Sequence, residues 1–339
     1  MSDHTVTSRE FRLASRPAGE PGPENFELAT VDVPEPGEGQ VLVRNTWMSV
    51  DPYMRGRMND TKSYIAPFEL GAPLTGAAIG EVVASRAEAV PVGATVSHFL
   101  GWREYALLDA ASATVVDTGV ARPQDYLGAL GSTGLTAYLA VTMIAPVRKG
   151  DVVFVSGAAG AVGSVAGQIA RILGAAKVIG SAGGPEKGRK VVETFGFDAA
   201  IDYRAGSVAD QLAVLAPDGI DVYVDNVGGD HLEAAIGALN DFGKAALIGA
   251  ISVYNATEPV PGPTNLYHVV TKRLTLSGMI VSDHLDRFPE YIAKAAGWLA
   301  DGSLRTEETV VEGFERAPEA FFGVLSGANT GKMLVRLDS

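Results

Sequence analysis

The chain has 339 residues, enough for two domains, and its 47% hydrophobic and 20% charged residues are typical of a globular protein. Its net charge of −13 argues against nucleic acid or an anionic membrane surface as the main partner. We find neither a basic leader followed by an apolar run nor about 18 consecutive apolar residues, so we expect a cytoplasmic protein.

The sequence contains no cysteine, which excludes disulfides, thiolate nucleophiles and every zinc site with a cysteine ligand. No two of its histidines have the i, i+4 spacing of a metal site on a helix. We therefore expect no metal centre. The five histidines are His4, His98, His231, His268 and His284.

The first third of the chain has the pattern of short β-strands. Residues 31–44 place a Pro/Gly turn between two runs of alternating apolar residues, and residues 80–84 and 90–97 continue the pattern. Helical periodicity is weak until about Tyr126. We predict a small, mostly antiparallel barrel over residues 1–125.

From about Pro146 the pattern changes to strand, glycine turn and helix, repeated. Such a series is typical of a doubly wound parallel sheet, which we predict over residues 126–305. Residues 306–339 revert to short strands and are predicted to return to the first domain. The fold class is therefore α/β, a Rossmann sheet plus a barrel. The predicted strands are 151–156, 177–180, 199–203, 221–225, 244–248 and 274–278.

The glycine turn at Gly157–Gly163 lies between a predicted strand and a predicted helix. Backbone N–H groups at the start of a helix can bind a pyrophosphate, and glycines let the backbone approach it. The spacing is G-x-x-G-x-x-G rather than the commoner G-x-G-x-x-G, and small residues also serve helix–sheet packing. Its position between strand and helix favours dinucleotide binding.

The end of the second predicted strand bears on which dinucleotide is bound. NAD-binding proteins usually place an Asp or Glu there, whereas this chain has Gly180-Ser-Ala-Gly-Gly184 followed by Lys187 and Arg189. The two cations could be solvated helix residues. An uncharged turn followed by cations nevertheless suits a 2′-phosphate, which needs charge-assisted donors in a chain this acidic, so we predict NADPH.

Several motifs, in order along nearly the whole chain, resemble those of the zinc-independent medium-chain dehydrogenase/reductase superfamily. They are most similar to its prostaglandin reductase and plant double-bond reductase branch, and within that branch to bacterial curcumin reductase-like members. The motifs are residues 49–57 (SVDPYMRGR), 157–164 (GAAGAVGS), 225–229 (DNVGG), 249–255 (GAISVYN) and 327–332 (GANTGK), with residues 14–19, 23–28 and 254–258 closest to the bacterial members.

The resemblance implies a chaperonin-10-like barrel, a Rossmann domain, a homodimer, and NADPH-dependent reduction of the C=C bond of α,β-unsaturated ketones or aldehydes. A small enone or enal is then the expected partner. Carried over by motif, the residues that would bind the pyrophosphate are Gly160, Ala161, Val162, Gly163 and Ser164. Those that would bind the 2′-phosphate are Lys187 and Tyr203. Those that would hold the nicotinamide half are Asn226, Ile248, Gly249, Ala250, Ile251, Ser252, Tyr254, Met279, Ile280, Val281 and Asn329.

Hydride addition to the β-carbon of an enone places negative charge on the carbonyl oxygen, which needs a hydrogen-bond donor, and the α-carbon later needs a proton. Tyr254 is the leading candidate because its loop would also touch the nicotinamide ribose, and Tyr53 and Tyr64 are the others. Solvent is an alternative proton source. Each tyrosine could instead only shape an aromatic pocket, together with Trp47, Phe68 or Tyr267.

Two other functions remain open. A quinone reductase of the same superfamily would use the same fold and cofactor, although the Asp51–Arg55 segment and the Tyr254 loop favour the enone. A redox-inactive NADPH-binding protein is the alternative from another class.

Overall fold

The computed structural model describes residues 5–337, which form two compact units. The first unit takes in the chain up to Leu127, then Glu308–Asn329 and the end of the chain from Met333. The second unit takes in Gly128–Glu307 and Thr330–Lys332. Within residues 5–337, every helix is too short or too polar to cross a membrane.

The first unit begins with an antiparallel pair of strands, β1 and β2, in register from Val6↔Val33 to Leu13↔Phe26. Short strands and one five-residue helix follow. They are β1 (Val6–Leu13), β2 (Phe26–Val33), β3 (Gln40–Ser49), α1 (Tyr53–Arg57), β4 (Ala78–Ser85), β5 (Thr95–His98), β6 (Tyr105–Asp109) and β7 (Thr114–Val115).

The second unit alternates strands and helices around one parallel sheet. They are α2 (Ser132–Leu139), β8 (Val152–Val155), α3 (Ala161–Ile172), β9 (Lys177–Ala182), α4 (Pro185–Glu193), β10 (Ala199–Asp202), α5 (Val208–Leu215), β11 (Ile220–Asp225), α6 (Gly229–Ala238), β12 (Leu239–Leu247), α7 (Tyr267–Thr271), β13 (Thr275–Gly278) and α8 (Phe288–Ala300). The six strands lie in the order β10-β9-β8-β11-β12-β13. Numbered from β8, this is the 3-2-1-4-5-6 order of a doubly wound dinucleotide-binding sheet.

The last segment supplies β14 (Glu308–Glu312), α9 (Ala317–Leu325) and β15 (Lys332–Arg336). The resulting sheet runs β14-β15-β3-β4-β5-β7, with β6 paired to β3. Strand β3 pairs antiparallel with β4, β6 and β15, and β5 pairs antiparallel with β4 and β7. The predicted fold class, a doubly wound parallel sheet plus an antiparallel β domain, is confirmed.

Each unit has its own aromatic core. In the first, Phe11, Trp102 and Phe314 are buried, with the ring centroids of Phe11 and Trp102 6.0 Å apart and edge to face. In the second, Phe154 and Tyr223 stack at 5.1 Å between neighbouring strands. Each large buried side chain stabilises the fold by about 1.5–3 kcal/mol, so the strand ends that carry the loops are rigidly held.

Candidate functional site

The candidate cofactor residues of the second unit follow the carboxyl ends of its parallel strands. The pairings Val155↔Gly180, Ala182↔Asp202, Asp225↔Leu247 and Leu247↔Gly278 bring these ends to one edge of the sheet. This edge is where open α/β sheets bind their ligands. After β8 come Gly160, Ala161, Val162, Gly163 and Ser164; after β9 and β10 come Lys187 and Tyr203; after β11 to β13 come Asn226, Ile248–Ser252, Tyr254 and Met279–Val281.

The glycine turn, Gly157–Gly163, needs its glycines for two separate reasons. Gly157 adopts a φ of +61°, a left-handed conformation that costs little only for glycine. A Cβ on Gly163 would collide with the backbone of Gly157 and Ala158, so only glycine lets α3 pack this closely on the turn. The turn therefore fixes the start of α3 against the end of β8.

The first turn of α3 presents backbone donors. The Ser164 N–H donates to the Gly160 carbonyl at 3.1 Å, so the amides of Ala161, Val162 and Gly163 precede the helical hydrogen-bond ladder. Gly331, from the Thr330–Lys332 part of the second unit, donates its N–H to the Ala159 carbonyl at 2.7 Å and braces the turn. A helix N-terminus with uncommitted amides binds phosphate groups.

A basic corner forms beside Gly183, directly after β9. A Cβ there would lie 2.6 Å from the Tyr203 hydroxyl and 2.9 Å from Arg204 Nε, so glycine keeps this corner open. Lys187 is half-buried, and its pKa is lowered by burial first and then by the positive charges of Arg204 and Lys190. A bound phosphate dianion would offset the repulsion between these cations.

The surrounding contacts decide which cations face the corner. Lys190 is committed to Glu307, with Nζ 2.7 Å from Oε2. Arg189 is exposed and lies 3.9 Å from Glu193, one helical turn along. Asp202 Oδ1 accepts from the Gly184 and Arg204 N–H groups at 2.8 and 3.0 Å and holds the two loops together. The Tyr203 hydroxyl and Arg204 Nε are thus the side-chain groups nearest Gly183, and the Asp202 carboxylate holds the same two loops.

The loop after β11 is organised by the buried carboxylate of Asp225. Its Oδ1 accepts from Tyr223 Oη at 2.7 Å, from Ser156 Oγ at 3.1 Å, and from the N–H groups of Val227 and Gly228 at 3.0 and 2.8 Å. Asn226 follows and donates its Nδ2 to the Ser156 carbonyl at 2.7 Å. A buried carboxylate with four donors is well compensated, so this loop is rigid.

The loop after β12 is hydrogen-bonded to the loop after β11. The N–H groups of Ile248 and Gly249 donate to the Asp225 carbonyl at 2.8 and 3.0 Å. Tyr254 ends the short 3-10 turn Ile251–Val253, and its hydroxyl accepts from the Ala250 N–H at 3.3 Å. Because this bond uses the tyrosine oxygen as acceptor, the phenolic proton stays available for a ligand.

The last candidates lie on two segments. The Met279 N–H donates to the Leu247 carbonyl at 3.3 Å, which places residues 279–281 beside the loop after β12. Met279 is buried, whereas Ile280 and Val281 are half-buried. Asn329 belongs to the first unit and immediately precedes the Thr330–Lys332 segment of the second.

In the first unit, Tyr53 and Tyr64 come together around a third residue, Arg57. Tyr53 and Arg57 are the first and last residues of α1, at the i, i+4 spacing that puts both on one helix face. Tyr64 is exposed, and its charge raises the pKa of both Tyr53 and Arg57. We call Tyr53, Arg57 and Tyr64 the Arg57 cluster.

The three candidate pocket aromatics lie in different surroundings. Phe68 is buried under the guanidinium of Arg57, whose Cζ lies 3.9 Å from the ring centroid. Trp47 packs against a separate cluster that includes Ile79 and Leu334. Tyr267 is 74% exposed in the second unit. Phe68 therefore touches the Arg57 cluster.

Three residues with a part in these arrangements were not singled out from the sequence: Arg204, Asp225 as the hub of its loop, and Arg57. Arg204 could have been found, because it follows Tyr203 directly in a segment already expected to hold a phosphate. Asp225 and Arg57 lay within quoted motifs, but motif spacing does not show the hydrogen bonds that define their roles, to Ser156 for Asp225 and to Ala66 and Thr75 for Arg57.

A doubly wound sheet with a glycine turn and a basic corner at its carboxyl edge defines a dinucleotide-binding protein of the Rossmann class. Two family models match the chain: "N-terminal domain of oxidoreductase" over residues 9–116 and "Zinc-binding dehydrogenase" over residues 161–297. The residues present do not fit a zinc site. The sequence has no cysteine, and within residues 5–337 no three His, Asp or Glu side chains are grouped to hold a metal ion.

Curated relatives match along the whole chain. An NADP-dependent oxidoreductase of Bacillus subtilis (strain 168) is 44% identical over 98% of both chains. The NADPH-dependent curcumin reductase of Escherichia coli (strain K12) is 38% identical over 99% of both. The NADP(+)-dependent 2-alkenal reductase of Nicotiana tabacum is 36% identical over 97% of both.

Among solved structures, CurA from Vibrio vulnificus in complex with NADPH superimposes with a TM-score of 0.93 at 40% identity. The match covers 98% of this chain and 99% of that one. The chain therefore belongs to the medium-chain dehydrogenase/reductase superfamily, in the branch that includes the prostaglandin reductases and the bacterial curcumin reductases. The family predicted from the sequence motifs is confirmed.

Proposed function

We propose that the protein is a zinc-independent, NADPH-dependent reductase of the C=C bond of α,β-unsaturated ketones and aldehydes. The observation that carries the proposal is the basic corner, where Tyr203 and Arg204 lie beside Gly183 and the charge of Arg204 acts on Lys187. The names of the relatives, which specify reduction of curcumin and of 2-alkenals with NADPH or NADP(+), support the choice of reaction.

The residues at the sheet edge fit NADPH. The amides of Ala161–Gly163 would bind the pyrophosphate, and Lys187 and Tyr203 the 2′-phosphate, with Arg204 beside them. The nicotinamide half would be held by the loops after β11, β12 and β13 and by Asn329. When bound, NADPH supplies the hydride that adds to the substrate.

The contribution of the protein is to stabilise charge on the substrate. Addition of the hydride to the β-carbon shifts the C=C electron pair toward the carbonyl and leaves an enolate oxygen. A tyrosine hydroxyl with a free proton donates a hydrogen bond to that oxygen. Tyr254 meets this requirement because its oxygen already accepts from the Ala250 N–H, and a hydroxyl that accepts one hydrogen bond becomes a better donor of another.

A proton then adds to the α-carbon, the carbonyl re-forms, and the net result is a saturated ketone or aldehyde and NADP⁺. Tyr254, Tyr53 and Tyr64 are the proposed proton donors, with solvent as the alternative. We expect the working form to be a cytoplasmic homodimer.

The test is loss of NADPH absorbance at about 340 nm with trans-4-phenyl-3-buten-2-one, with the product identified by mass spectrometry. The proposal predicts the saturated ketone, and an allylic alcohol would overturn it. Turnover of 1,4-naphthoquinone but of no enone would make the protein a quinone reductase. Tight NADPH binding with no turnover of either would make it a redox-inactive binding protein.

A further inference from the structure

The guanidinium of Arg57 is buried, yet within residues 5–337 it forms no ion pair with a carboxylate. Its Nε donates to the Ala66 carbonyl at 2.9 Å, and its Nη1 donates to the Thr75 carbonyl and Oγ1 at 3.2 and 2.9 Å. Within residues 5–337, the charged or ionisable groups that act on it are Tyr53 and Tyr64. Burying an unpaired cation costs free energy, and neutral carbonyls compensate it only in part.

The arginine is held rigidly in this position. Besides the three hydrogen bonds, the Phe68 ring covers one face of the guanidinium at 3.9 Å, a cation–π contact. The Phe68 N–H in turn donates to the Arg57 carbonyl at 2.7 Å. The charge is therefore fixed in place at the end of α1, with the Tyr53 side chain on the same face one turn earlier.

The Tyr53 hydroxyl is buried and makes no hydrogen bond of normal geometry within the described residues. Burial raises the pKa of Tyr53, Asp51 raises it further, and Arg57 acts in the opposite direction. Asp51 itself shares a short hydrogen bond with the Ser49 hydroxyl. A buried phenol without an acceptor is a group poised to donate to a ligand, and the nearby cation favours any negative charge that it takes on.

We propose that Arg57 is a positioning residue for the reduction: its fixed charge strengthens the Tyr53 hydroxyl as a hydrogen-bond donor to the oxygen on which negative charge develops. The inference rests on the proposed function and extends it by assigning a task to an arginine that would contact neither cofactor nor substrate. Removal of an oxyanion donor typically lowers kcat about a hundredfold or more. An indirect contribution through Tyr53 should be smaller, about tenfold.

The test is a double-mutant cycle on kcat with Arg57→Gln, Tyr53→Phe and the double variant. Glutamine keeps donors for the Ala66 and Thr75 carbonyls but removes the charge. We expect Arg57→Gln to lower kcat about tenfold while changing the Kd for NADPH little, and Arg57→Lys to restore most of the loss. In the Tyr53→Phe background, Arg57→Gln should have no further effect on kcat.

Arg55→Gln is the matched control, because it removes another buried arginine of α1 whose bonds go to the Gly19 carbonyl and Asn59. It should lower the melting temperature without the kcat loss. The inference is overturned if Arg57→Lys is as slow as Arg57→Gln, if Arg55→Gln lowers kcat equally, or if the effects of Arg57→Gln and Tyr53→Phe multiply in the double variant.

The test also covers a variant that does not fold and a protein that reduces only quinones. If Arg57→Gln does not fold, the same cycle is run with Arg57→Lys, whose displaced charge should give a smaller loss that again vanishes in the Tyr53→Phe background. The series is measured with both an enone and 1,4-naphthoquinone, since each acceptor gains negative charge on oxygen. A wild-type protein that reduces only the quinone overturns the proposed function, while the Arg57 comparison still stands or fails separately.

Discussion

The carboxyl edge of the parallel sheet and the Arg57 cluster of the first unit are built on different principles. At the sheet edge, the backbone creates the site: Gly157, Gly163 and Gly183 leave space, and amides at the start of α3 supply donors. In the Arg57 cluster, side chains create the site. The buried guanidinium of Arg57 is held by backbone carbonyls and by the Phe68 ring, and the Tyr53 phenol lies on the same helix face. We propose that the first holds the cofactor and that the second places a hydrogen-bond donor for the substrate.

The difference explains why the role of one site could be predicted from the sequence and the role of the other could not. A glycine that must avoid a backbone collision cannot be replaced, so its spacing is visible in the chain. The environment of Arg57 depends on Ala66, Phe68 and Thr75, which come together only after folding. Four variants or conditions, in order of decreasing effect, test this contrast.

Gly163→Ala should have the largest effect of the four, a loss of NADPH binding. The added Cβ would collide with the Gly157 carbonyl, so α3 must shift. The amides of its first turn would then no longer point toward the pyrophosphate. Charge-assisted hydrogen bonds contribute about 1.5–3 kcal/mol each, and loss of two would weaken NADPH binding about a thousandfold. Isothermal titration calorimetry measures this change.

Gly297→Ala is the control for Gly163→Ala. Gly297 lies in α8 with nothing within 4 Å of the added Cβ, so alanine should stabilise the helix by about 1 kcal/mol. NADPH binding of normal strength by Gly163→Ala would show that the glycine turn does not hold the phosphates.

Tyr254→Phe should lower kcat about a hundredfold or more, because it removes the proposed donor to the enolate oxygen. The Kd for NADPH should change little, and steady-state kinetics together with titration separate the two quantities. Tyr126→Phe, which removes a hydroxyl that donates to the Asp117 carbonyl, should leave kcat unchanged. An unaltered kcat in Tyr254→Phe would leave Tyr53 and Tyr64 as the remaining tyrosine donors.

Lys187→Ala should weaken NADPH binding about ten- to hundredfold and leave NADH binding almost unchanged, since only NADPH carries the 2′-phosphate. Arg189→Ala, two residues along the same helix and directed toward Glu193, should affect neither cofactor. Equal losses for NADPH and NADH would contradict the assignment of the basic corner.

The smallest expected effect is on the pH dependence of stability. The pKa of His98 is lowered to about 4, by burial first and then by Arg103. Its Nε2 bonds Asn45 Oδ1 at 2.8 Å, and its Nδ1 accepts from the Leu100 N–H at 3.1 Å, so the neutral ring is satisfied. Protonation would break the second bond.

Because the unfolded chain binds this proton with a pKa of about 6.5, the stabilisation by neutral His98 is complete above that pH and is lost as the pH falls toward 4. Between pH 7.5 and 5.5 the loss should be about 1.4 kcal/mol. Urea unfolding at both pH values measures it, with His98→Gln as the reference that lacks this contribution. Equal pH dependence in both proteins would show that His98 does not cause it.

The sequence predicted the parallel sheet well because its strands are buried and therefore read as short, continuous apolar runs between glycine turns. All six predicted strands overlap β8 to β13, although β12 begins at Leu239, five residues before its predicted start. It did not predict β1, because the inward positions of that strand include Ser8 and Glu10, which are buried although polar. Glu10 is compensated by Arg12 Nε at 2.9 Å, a pairing that periodicity does not reveal.

The same limit applies to the candidate site. The turn residues and Lys187 could be predicted because their backbone or charge is needed whatever the neighbours are. The role of Arg57 could not be predicted, because it depends on Ala66, Phe68 and Thr75 packing around its side chain. Long-range packing of ordinary side chains is the part that only the structure supplies.

The measurement that tests the central claim most directly is the position of a deuterium label. The protein is given trans-4-phenyl-3-buten-2-one and NADPH that carries deuterium in the transferable position at nicotinamide C4, in ordinary water. We predict a saturated ketone with deuterium on the β-carbon and ordinary hydrogen added at the α-carbon. Deuterium on the former carbonyl carbon, in an allylic alcohol, would contradict it.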